Sequence, residues 1–458
     1  MLRTTLCLMA AVVLAAGVVA GSAAAESKFV TKEYQALWNA PAVADRIEAG
    51  IKQNRMAAVT VNLKDAAGKP VAGAEAAVEQ IGHEFLFGAN IFLFKGFDTE
   101  EKNRRYEDAF VGLFNAASVP LYWKTLEPKQ GQIRFEATSE PIYRRPPPDI
   151  VVAFCKAHGL NMNGHTLVWD NTKWAVPTWL PADLKERERL IAKRIGEIAA
   201  RYGKDIQRWD VVNERGSLTR KPSAPLPERF ELKAFLEAQK VLPPTAILNI
   251  NETTGRVWGK EKETYRNLIE TLRKEGARID MVGIQFHFFS NEGLVKVLKG
   301  ESFKPADMLA TLDFMGEVGL PMHISEITLS SLDDSADGRE AQAVAATNFY
   351  RLFFSHPRMA AVTWWNVADG TAAPGEDHIP SGMIDRDLKP KPAYEALHRL
   401  IHQEWKTRLK ATSGAAGDLA VNGFKGRYRV TVQQGGKTLT GEFTLTAGAK
   451  APVEVVVK

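Results

Sequence analysis

Eight short apolar runs recur along the middle of the chain, and a longer stretch with helical periodicity follows each of them. The runs have the length of strands, whereas stretches such as LKERERLIAKRIGEIAARYG repeat apolar residues every three or four positions. Eight β-then-α units in roughly 320 residues predict an α/β fold, a (β/α)8 TIM barrel over residues 85–410. The runs are FLFGANIF, AASVPLYW, NMNGHTLVW, IQRWDVVNE, AILNINE, MVGIQFH, MHISEITL and AAVTWWNV.

Two segments outside the predicted barrel alternate apolar and polar residues with a period of two, which is typical of strands. They are residues 56–84 and residues 411–458. Neither segment is long enough to bury a core by itself. We therefore predict that they pair as one small all-β accessory module, beside the barrel and away from its mouth. The alternative is that each segment docks separately on barrel helices.

Residues 1–25 have the layout of an export signal. Arg3 precedes an apolar run over residues 6–20, and small residues close the segment before Glu26. The apolar run is too short to favour a membrane anchor. We therefore predict a secreted or periplasmic protein whose mature chain begins with a helical lead-in over residues 26–55.

The charge of the chain is nearly balanced. A net charge of +5 is small for 458 residues, and no basic block stands out. Neither nucleic acid nor a membrane surface is therefore an expected partner, and we expect a monomer. Cys7 lies in the predicted signal, so Cys155 remains alone and an intramolecular disulfide is excluded.

Polar and aromatic side chains stand at the ends of several predicted strands. In barrels of this kind, the C-terminal ends of the strands together form the mouth of the active site. Two carboxylic acids, Glu214 and Glu326, are therefore expected at one mouth. The other candidates there are His165, Trp169, Asn213, Gln285, His287 and Trp365.

This combination of residue types suits glycoside hydrolysis. One carboxylic acid protonates the leaving oxygen, while the other attacks the anomeric carbon or activates water. Asn and His side chains hydrogen-bond sugar hydroxyls, and Trp offers a large flat face on which a sugar ring can stack. Either glutamate alone could be a structural ion pair inside the barrel, but two at one mouth favour catalysis.

Five motifs around these residues resemble glycoside hydrolase family 10, the retaining endo-β-1,4-xylanases. The resemblance extends over roughly residues 85–405, and its motifs follow one another in the order of the family. The motifs are HTLVW at 165–169, WDVVNE at 209–214, GIQFH at 283–287, HISEI at 323–327 and DRDLKPKPAY at 385–394.

The resemblance implies a role for each polar candidate. Glu214 would be the general acid/base and Glu326 the nucleophile, and neither a metal nor an organic cofactor would be needed. Asn213 would bind the 2-hydroxyl of the sugar at the cleavage point, and His165 would contact the same sugar.

The remaining roles follow from the same resemblance. Gln285 and His287 would hydrogen-bond the catalytic carboxylates and hold their protonation states apart. Trp365 would form the platform beneath the reacting sugar.

The chain departs from the family where the glycone is recognised. SVPLYW, residues 118–123, stands where the family carries Glu-Asn and then Met-Lys-Trp, so Tyr122 occupies the position of a sugar-binding lysine. Asp170 follows HTLVW in place of His, and residues 252–254 replace Asp-Tyr-Asn. Tyr122 therefore joins the predicted substrate-binding residues, and the insert YRRPPP at 143–148 is expected at the rim of the cleft.

These observations support one leading hypothesis and two alternatives. The leading hypothesis is a secreted retaining hydrolase that cleaves internal β-1,4 linkages of xylan, a plant-type polysaccharide. The first alternative keeps this mechanism but acts on another β-linked glycan or a small glycoside. The second is a non-catalytic carbohydrate-binding barrel, against which the presence of both glutamates argues.

Overall fold

The structure, a computed structural model, describes residues 27–215, 226–448 and 452–458. The predicted signal at 1–25 lies outside the described residues. Within the described ranges, no helix combines the length and the apolar character needed to cross a membrane. The first elements are α1 (Lys32–Asn39), α2 (Pro41–Arg55), β1 (Met56–Lys64) and β2 (Glu75–His83).

Among the described residues, eight parallel strands close into a barrel, as predicted. Each strand pairs with its neighbour in the chain, and the last strand pairs with the first. The strands are β3 (Leu86–Asn90), β4 (Ala116–Pro120), β5 (Asn161–Trp169), β6 (Arg208–Asn213), β7 (Ile247–Glu252), β8 (Met281–His287), β9 (Met322–Thr328) and β10 (Met359–Trp364). Their residues are almost all buried because helices cover the outside of the barrel.

The helices that alternate with the strands bury one apolar face each. In α9, for example, Tyr265, Leu268, Ile269 and Leu272 are buried, whereas charged residues face outward. A π-helical turn at Leu400–Glu404 follows the last helix. The helices are α3 (Glu100–Leu113), α4 (Trp123–Leu126), α5 (Pro148–Ala157), α6 (Leu184–Tyr202), α7 (Phe230–Val241), α8 (Thr254–Val257), α9 (Lys262–Lys274), α10 (Asn291–Leu298), α11 (Pro305–Gly316), α12 (Ala336–Ser355) and α13 (Pro392–Arg399).

The two ends of the chain form a small β-sandwich, which confirms the predicted all-β module. Strand β1 lies between β12 and β15 in one sheet, and the other sheet has the order β11-β2-β13-β14. Val61, Leu63, Val430 and Val455 are among the residues of its separate apolar core. The C-terminal strands are β11 (Arg408–Thr412), β12 (Asp418–Phe424), β13 (Gly426–Gln434), β14 (Lys437–Leu445) and β15 (Val453–Val456).

The sandwich joins the barrel at the face where the strands begin. Arg55, at the end of α2, donates hydrogen bonds to the carbonyl oxygens of Phe354, His356 and Met359, the first residue of β10. The carbonyl of Arg55 in turn accepts from the backbone N–H of Lys425, between β12 and β13. The module is therefore attached at the opposite end of the barrel from the C-terminal strand ends.

Candidate active site

A pocket opens at the C-terminal ends of the barrel strands. All of the predicted site residues line it: Tyr122, His165, Trp169, Asn213, Glu214, Gln285, His287, Glu326 and Trp365. They come together because the strands are parallel, so their C-terminal ends share one edge of the closed sheet. Loop residues complete the wall: Phe92, Arg144, Arg145, Asn171, Trp174, Phe289, Ala373 and Glu376.

The side-chain amide of Gln285 connects the two glutamates. Its nitrogen donates to Glu214 Oε1 at 2.9 Å and to Glu326 Oε1 at 3.1 Å. Those two oxygens are therefore at most about 6 Å apart, the sum of the two distances. Gln285 lies near the end of β8, where it pairs with Glu326 of β9 across the sheet.

Glu326, in β9, is surrounded by hydrogen-bond donors. Asn251 Nδ2 donates to Oε1 at 3.0 Å, alongside the bond from Gln285. His287 Nε2 lies 3.1 Å from Oε2. Hydrogen bonds to the charged form of a carboxyl group favour ionisation, so this arrangement stabilises a carboxylate at Glu326.

His287 is held in one tautomer. Burial lowers the pKa of its imidazole to about 4, so the ring is neutral near pH 7. Its Nδ1 lies 2.8 Å from the hydroxyl of Thr328. Since a carboxylate cannot donate, Nε2 carries the proton toward Glu326 and Nδ1 accepts from Thr328.

Both glutamates sit in an environment that resists charge. Burial, together with the neighbouring charges of Glu326 and Glu252 and against the hydrogen bond from Gln285, raises the pKa of Glu214 to about 7. Burial also raises the pKa of Glu326, to about 8, although the charge of His165 and the bond from Asn251 lower it. The hydrogen bonds from Asn251, Gln285 and His287 are the reason to place the ionised form at Glu326. One proton shared between two close carboxyl groups is the natural state of such a pair near neutral pH.

Glu214 immediately follows β6 in a left-handed backbone conformation, with φ of 57°. Its N–H donates to the carbonyl of Asn251 at 2.8 Å, which ties this residue to the neighbouring strand. Non-glycine residues adopt this conformation uncommonly, and strained backbone of this kind tends to cluster at functional sites. The backbone here directs the carboxyl group of Glu214 into the pocket.

A second layer of hydrogen bonds supports the pocket floor. His165 Nδ1 lies 2.7 Å from Asp210 Oδ2, and Asn163 donates to the same oxygen at 2.7 Å. Burial opposes ionisation of Asp210, but the hydrogen bond and charge of His165 outweigh it and lower the pKa of Asp210. The imidazole of His165 is thereby fixed in orientation at the pocket wall.

Comparison with known proteins identifies the family of this chain. The sequence profile of glycosyl hydrolase family 10 matches residues 101–400. The chain belongs to glycosyl hydrolase family 10.

Individual relatives agree with this assignment. Endo-1,4-beta-xylanase B of Thermotoga neapolitana is 25% identical over 63% of this chain and 80% of its own length. An anti-sigma-I factor of Acetivibrio thermocellus is 25% identical over 86% of this chain, and endo-1,4-beta-xylanase 2 of Arabidopsis thaliana is 23% identical over 84%. The chain spans 47% and 33% of the length of these two proteins, respectively.

A solved structure shares the fold. Native xylanase 10B from Thermotoga maritima superposes with a TM-score of 0.57 and 20% sequence identity. The match covers 70% of this chain and 96% of that one.

The aromatic wall of this family 10 pocket is built around Trp365 and Tyr122. Trp365 packs edge-on against His165, with ring centroids 5.3 Å apart, and Phe92 packs edge-on against Trp365. Tyr122 is buried, and the guanidinium carbon of Arg145 lies 3.9 Å from its ring centroid. The position of the family's sugar-binding lysine is therefore occupied by a tyrosine whose ring is covered by a cation from the insert.

Several pocket residues were missed from the sequence. Asn251 bonds both Glu326 and Asn213, and it lies in run five, AILNINE, so the strand-end rule could have found it. Glu376 comes from a loop that has no periodic signal, whereas Arg144 and Arg145 belong to the insert that was expected at the rim of the cleft. Within the described ranges, no cluster of three or more His, Cys, Asp or Glu residues is arranged to hold a metal ion.

Proposed function

We propose that this protein is a retaining glycoside hydrolase in which Glu326 is the nucleophile and Glu214 the general acid/base. The observation that carries the proposal is the amide of Gln285, which donates to both carboxyl groups. An oxygen–oxygen separation of at most about 6 Å is shorter than the roughly 6.5–9.5 Å that an inverting pair needs to admit water. Retention through a covalent intermediate is therefore the favoured stereochemical course.

The first step forms a glycosyl-enzyme ester. A carboxylate oxygen of Glu326 attacks the anomeric carbon as the bond to the leaving oxygen breaks, and Glu214 transfers its proton to that oxygen. The raised pKa of Glu214, about 7, keeps it protonated below neutrality, as a general acid requires. The donors around Glu326 stabilise the carboxylate that attacks.

The second step releases the sugar. Glu214, now ionised, removes a proton from water, and the water oxygen attacks the anomeric carbon while the ester bond to Glu326 breaks. In the ester, Glu326 carries no charge. Glu214 therefore no longer faces a second carboxylate when it ionises. Each group returns to its starting protonation state.

We propose xylan, cut at internal β-1,4 linkages, as the leading substrate. The curated relatives named as endo-1,4-beta-xylanases support this choice, and the pocket carries the aromatic and amide groups that bind a neutral pyranose. A second candidate is another β-linked glycan hydrolysed by the same mechanism. The covered ring of Tyr122 and the arginines beside it favour this candidate, because they replace the lysine that the family resemblance implies.

Product stereochemistry tests the mechanism directly. Hydrolysis of xylo-oligosaccharides followed by proton NMR should show the β-anomer first, before mutarotation. A 2-deoxy-2-fluoro glycoside with a good leaving group should label Glu326, and peptide mass spectrometry should locate the adduct. First formation of the α-anomer would refute retention, and binding of the oligosaccharides with no turnover on any β-glycan would favour the non-catalytic barrel.

We also propose that residues 1–25 are a signal peptide and that the mature protein is a secreted or periplasmic monomer. The layout of charge, apolar run and small residues supports the first part. N-terminal sequencing of the protein recovered from its native host, together with light scattering of the purified protein, tests both parts. A retained Met1 or a stable oligomer would contradict them.

A further inference from the structure

Two consecutive arginines form part of the pocket wall. Arg144 and Arg145 belong to the insert YRRPPP between β4 and α5, and both line the same pocket as Glu214 and Glu326. Arg144 is buried and Arg145 is half-buried. Two cations placed at a site for neutral sugars are costly to desolvate, so their presence calls for a physical reason.

The insert holds these side chains rigidly. Residues 142–145 form a tight turn in which the N–H of Arg145 donates to the carbonyl of Ile142 at 2.9 Å, and Arg144 has φ of 59°. The guanidinium of Arg134 binds the carbonyls of Thr125 at 2.9 Å and of Arg145 at 3.2 Å. The prolines that follow stiffen the chain further. The arginines are therefore pre-positioned, as a binding site requires.

The guanidinium groups retain unused donors. Arg144 donates through Nη1 to the carbonyl of Thr371, and Arg145 donates through Nη1 to the carbonyl of Arg144. The Nε atoms of both are buried without a hydrogen-bond partner. In the part of the chain that the structure describes, no carboxylate lies within the 4.0 Å ion-pair distance of either group.

Aromatic rings and one carboxyl group surround the pair. Arg145 lies over the face of Tyr122, and its guanidinium carbon is 5.1 Å from the ring centroid of Phe92, so its protein contacts are largely aromatic. Burial lowers the pKa of Arg145 to about 10, which leaves it charged at neutral pH. Glu376 lines the same pocket, and its charge favours the charged forms of both arginines, whereas burial raises the pKa of its own carboxyl group.

We propose that Arg144 and Arg145 bind a carboxylate on the glycan, so that the preferred substrate carries a uronic acid at the pocket that holds Glu214 and Glu326. This inference rests on the proposed function, whose substrate class it narrows. Guanidinium groups pair with carboxylates through two parallel hydrogen bonds, and the ring of Tyr122 beneath Arg145 holds that guanidinium in place. The turn thus replaces recognition of a neutral hydroxyl by recognition of charge.

A matched pair of substrates tests the proposal. One is a xylotetraose with a single glucuronic acid branch, and the other is the same oligosaccharide after carbodiimide activation and borohydride reduction of the carboxyl group to an alcohol. The wild-type kcat/KM should be about tenfold or more higher for the acid, the effect of one charge-assisted hydrogen bond. This ratio should fall toward one in Arg145→Gln and in Arg144→Gln. Arg429→Gln, which removes an exposed arginine of the sandwich, should keep it.

Binding separates this proposal from the proposed function. Calorimetry with the Glu214→Gln variant measures recognition without turnover, and the acidic oligosaccharide should bind more tightly than its reduced form. Equal affinity for the two forms, or a preference that survives both arginine substitutions, would overturn the arginine site while hydrolysis could still proceed. If the wild-type protein binds the acidic oligosaccharide through the arginines but does not cleave it, the arginine site is supported and the proposed hydrolase activity is refuted.

Discussion

Asn251 donates a hydrogen bond of 2.7 Å to the side-chain oxygen of Asn213. The same amide nitrogen donates to Glu326 at 3.0 Å, and Ser325 donates to the Asn251 oxygen. Asn251 therefore orients a predicted sugar ligand and the predicted nucleophile together. Its amide cannot rotate without breaking several bonds, so the group is a positioning residue for both.

Replacement of Asn251 should reveal this dual role. Asn251→Ala should lower kcat by about 10–100-fold, because displaced catalytic groups lose rate steeply. The lost bond also stabilised the charged form of Glu326, so the pKa of Glu326 should rise and the acidic limb of kcat/KM should move to higher pH. Asn422→Ala, at an exposed position of β12, is the control. A loss of rate without movement of the pH profile would argue for a purely structural role.

The loss of rate on removal of the proposed acid, Glu214, should depend on the leaving group of the substrate. Glu214→Ala should slow polysaccharide hydrolysis by about 10²–10⁴-fold, the usual contribution of general acid catalysis. Aryl glycosides with acidic phenols should be affected less in the bond-breaking step, since those leaving groups need little protonation. Glu326→Ala should abolish turnover of both substrates. Equal losses on both substrates in Glu214→Ala, measured by pre-steady-state release of the phenol, would count against the acid role.

The alkaline limb of the pH–activity profile should follow the ionisation of Glu214. A general acid must be protonated, so activity should fall as pH rises through the pKa of Glu214 at about 7. Glu252 accepts from Arg256 at 2.8 Å, and its negative charge helps to raise that pKa. Glu252→Gln removes the charge, so the alkaline limb should shift to lower pH. Glu263→Gln, on α9, is the control, and an unchanged limb in both variants would show that Glu252 does not influence the acid.

Tyr122 should be intolerant of the lysine that the family resemblance places there. Tyr122→Lys would bury a second cation against Arg145, so we expect a loss of about 3 kcal/mol in the free energy of unfolding. Tyr122→Phe keeps the ring beneath the guanidinium and should change stability by less than about 1 kcal/mol. Urea unfolding of the two variants gives the comparison. Equal stability of the lysine and phenylalanine variants would mean that Arg145 moves away from this ring.

Truncation before residue 411 should damage solubility. The deletion removes β12, β13 and β15, which pair with β1 and β2, and it uncovers the apolar faces of those two strands. We expect aggregation and a lower Tm in light scattering and calorimetry. In the full chain, Val430→Ala should cost about 2 kcal/mol, whereas Arg429→Ala, on the exposed face of the same strand, should cost little. A truncated protein that stays monomeric and equally heat-stable would contradict this expectation.

Much of this architecture was predictable because the sequence patterns that indicate strands and helices are local. Backbone geometry alone sets the two-residue period of strands and the 3.6-residue period of helices, so the alternation along residues 85–410 indicated a barrel. Parallel strands bring their C-terminal ends to one edge, and that rule placed Glu214, Glu326 and their neighbours at a common mouth. The family motifs then suggested the bonds from Gln285 and His287.

The tertiary structure alone decided the strand register and the side-chain contacts between distant segments. Strand β1 pairs in parallel with β15 from the far end of the chain, a register that no local pattern specifies. Arg145 reaches the ring of Tyr122 because a turn pinned by Arg134 points inward, and Glu376 comes to the same pocket from a loop after β10. Loop residues carry no period and their contacts lie far apart in sequence, so only the closed fold determines which charges line the pocket.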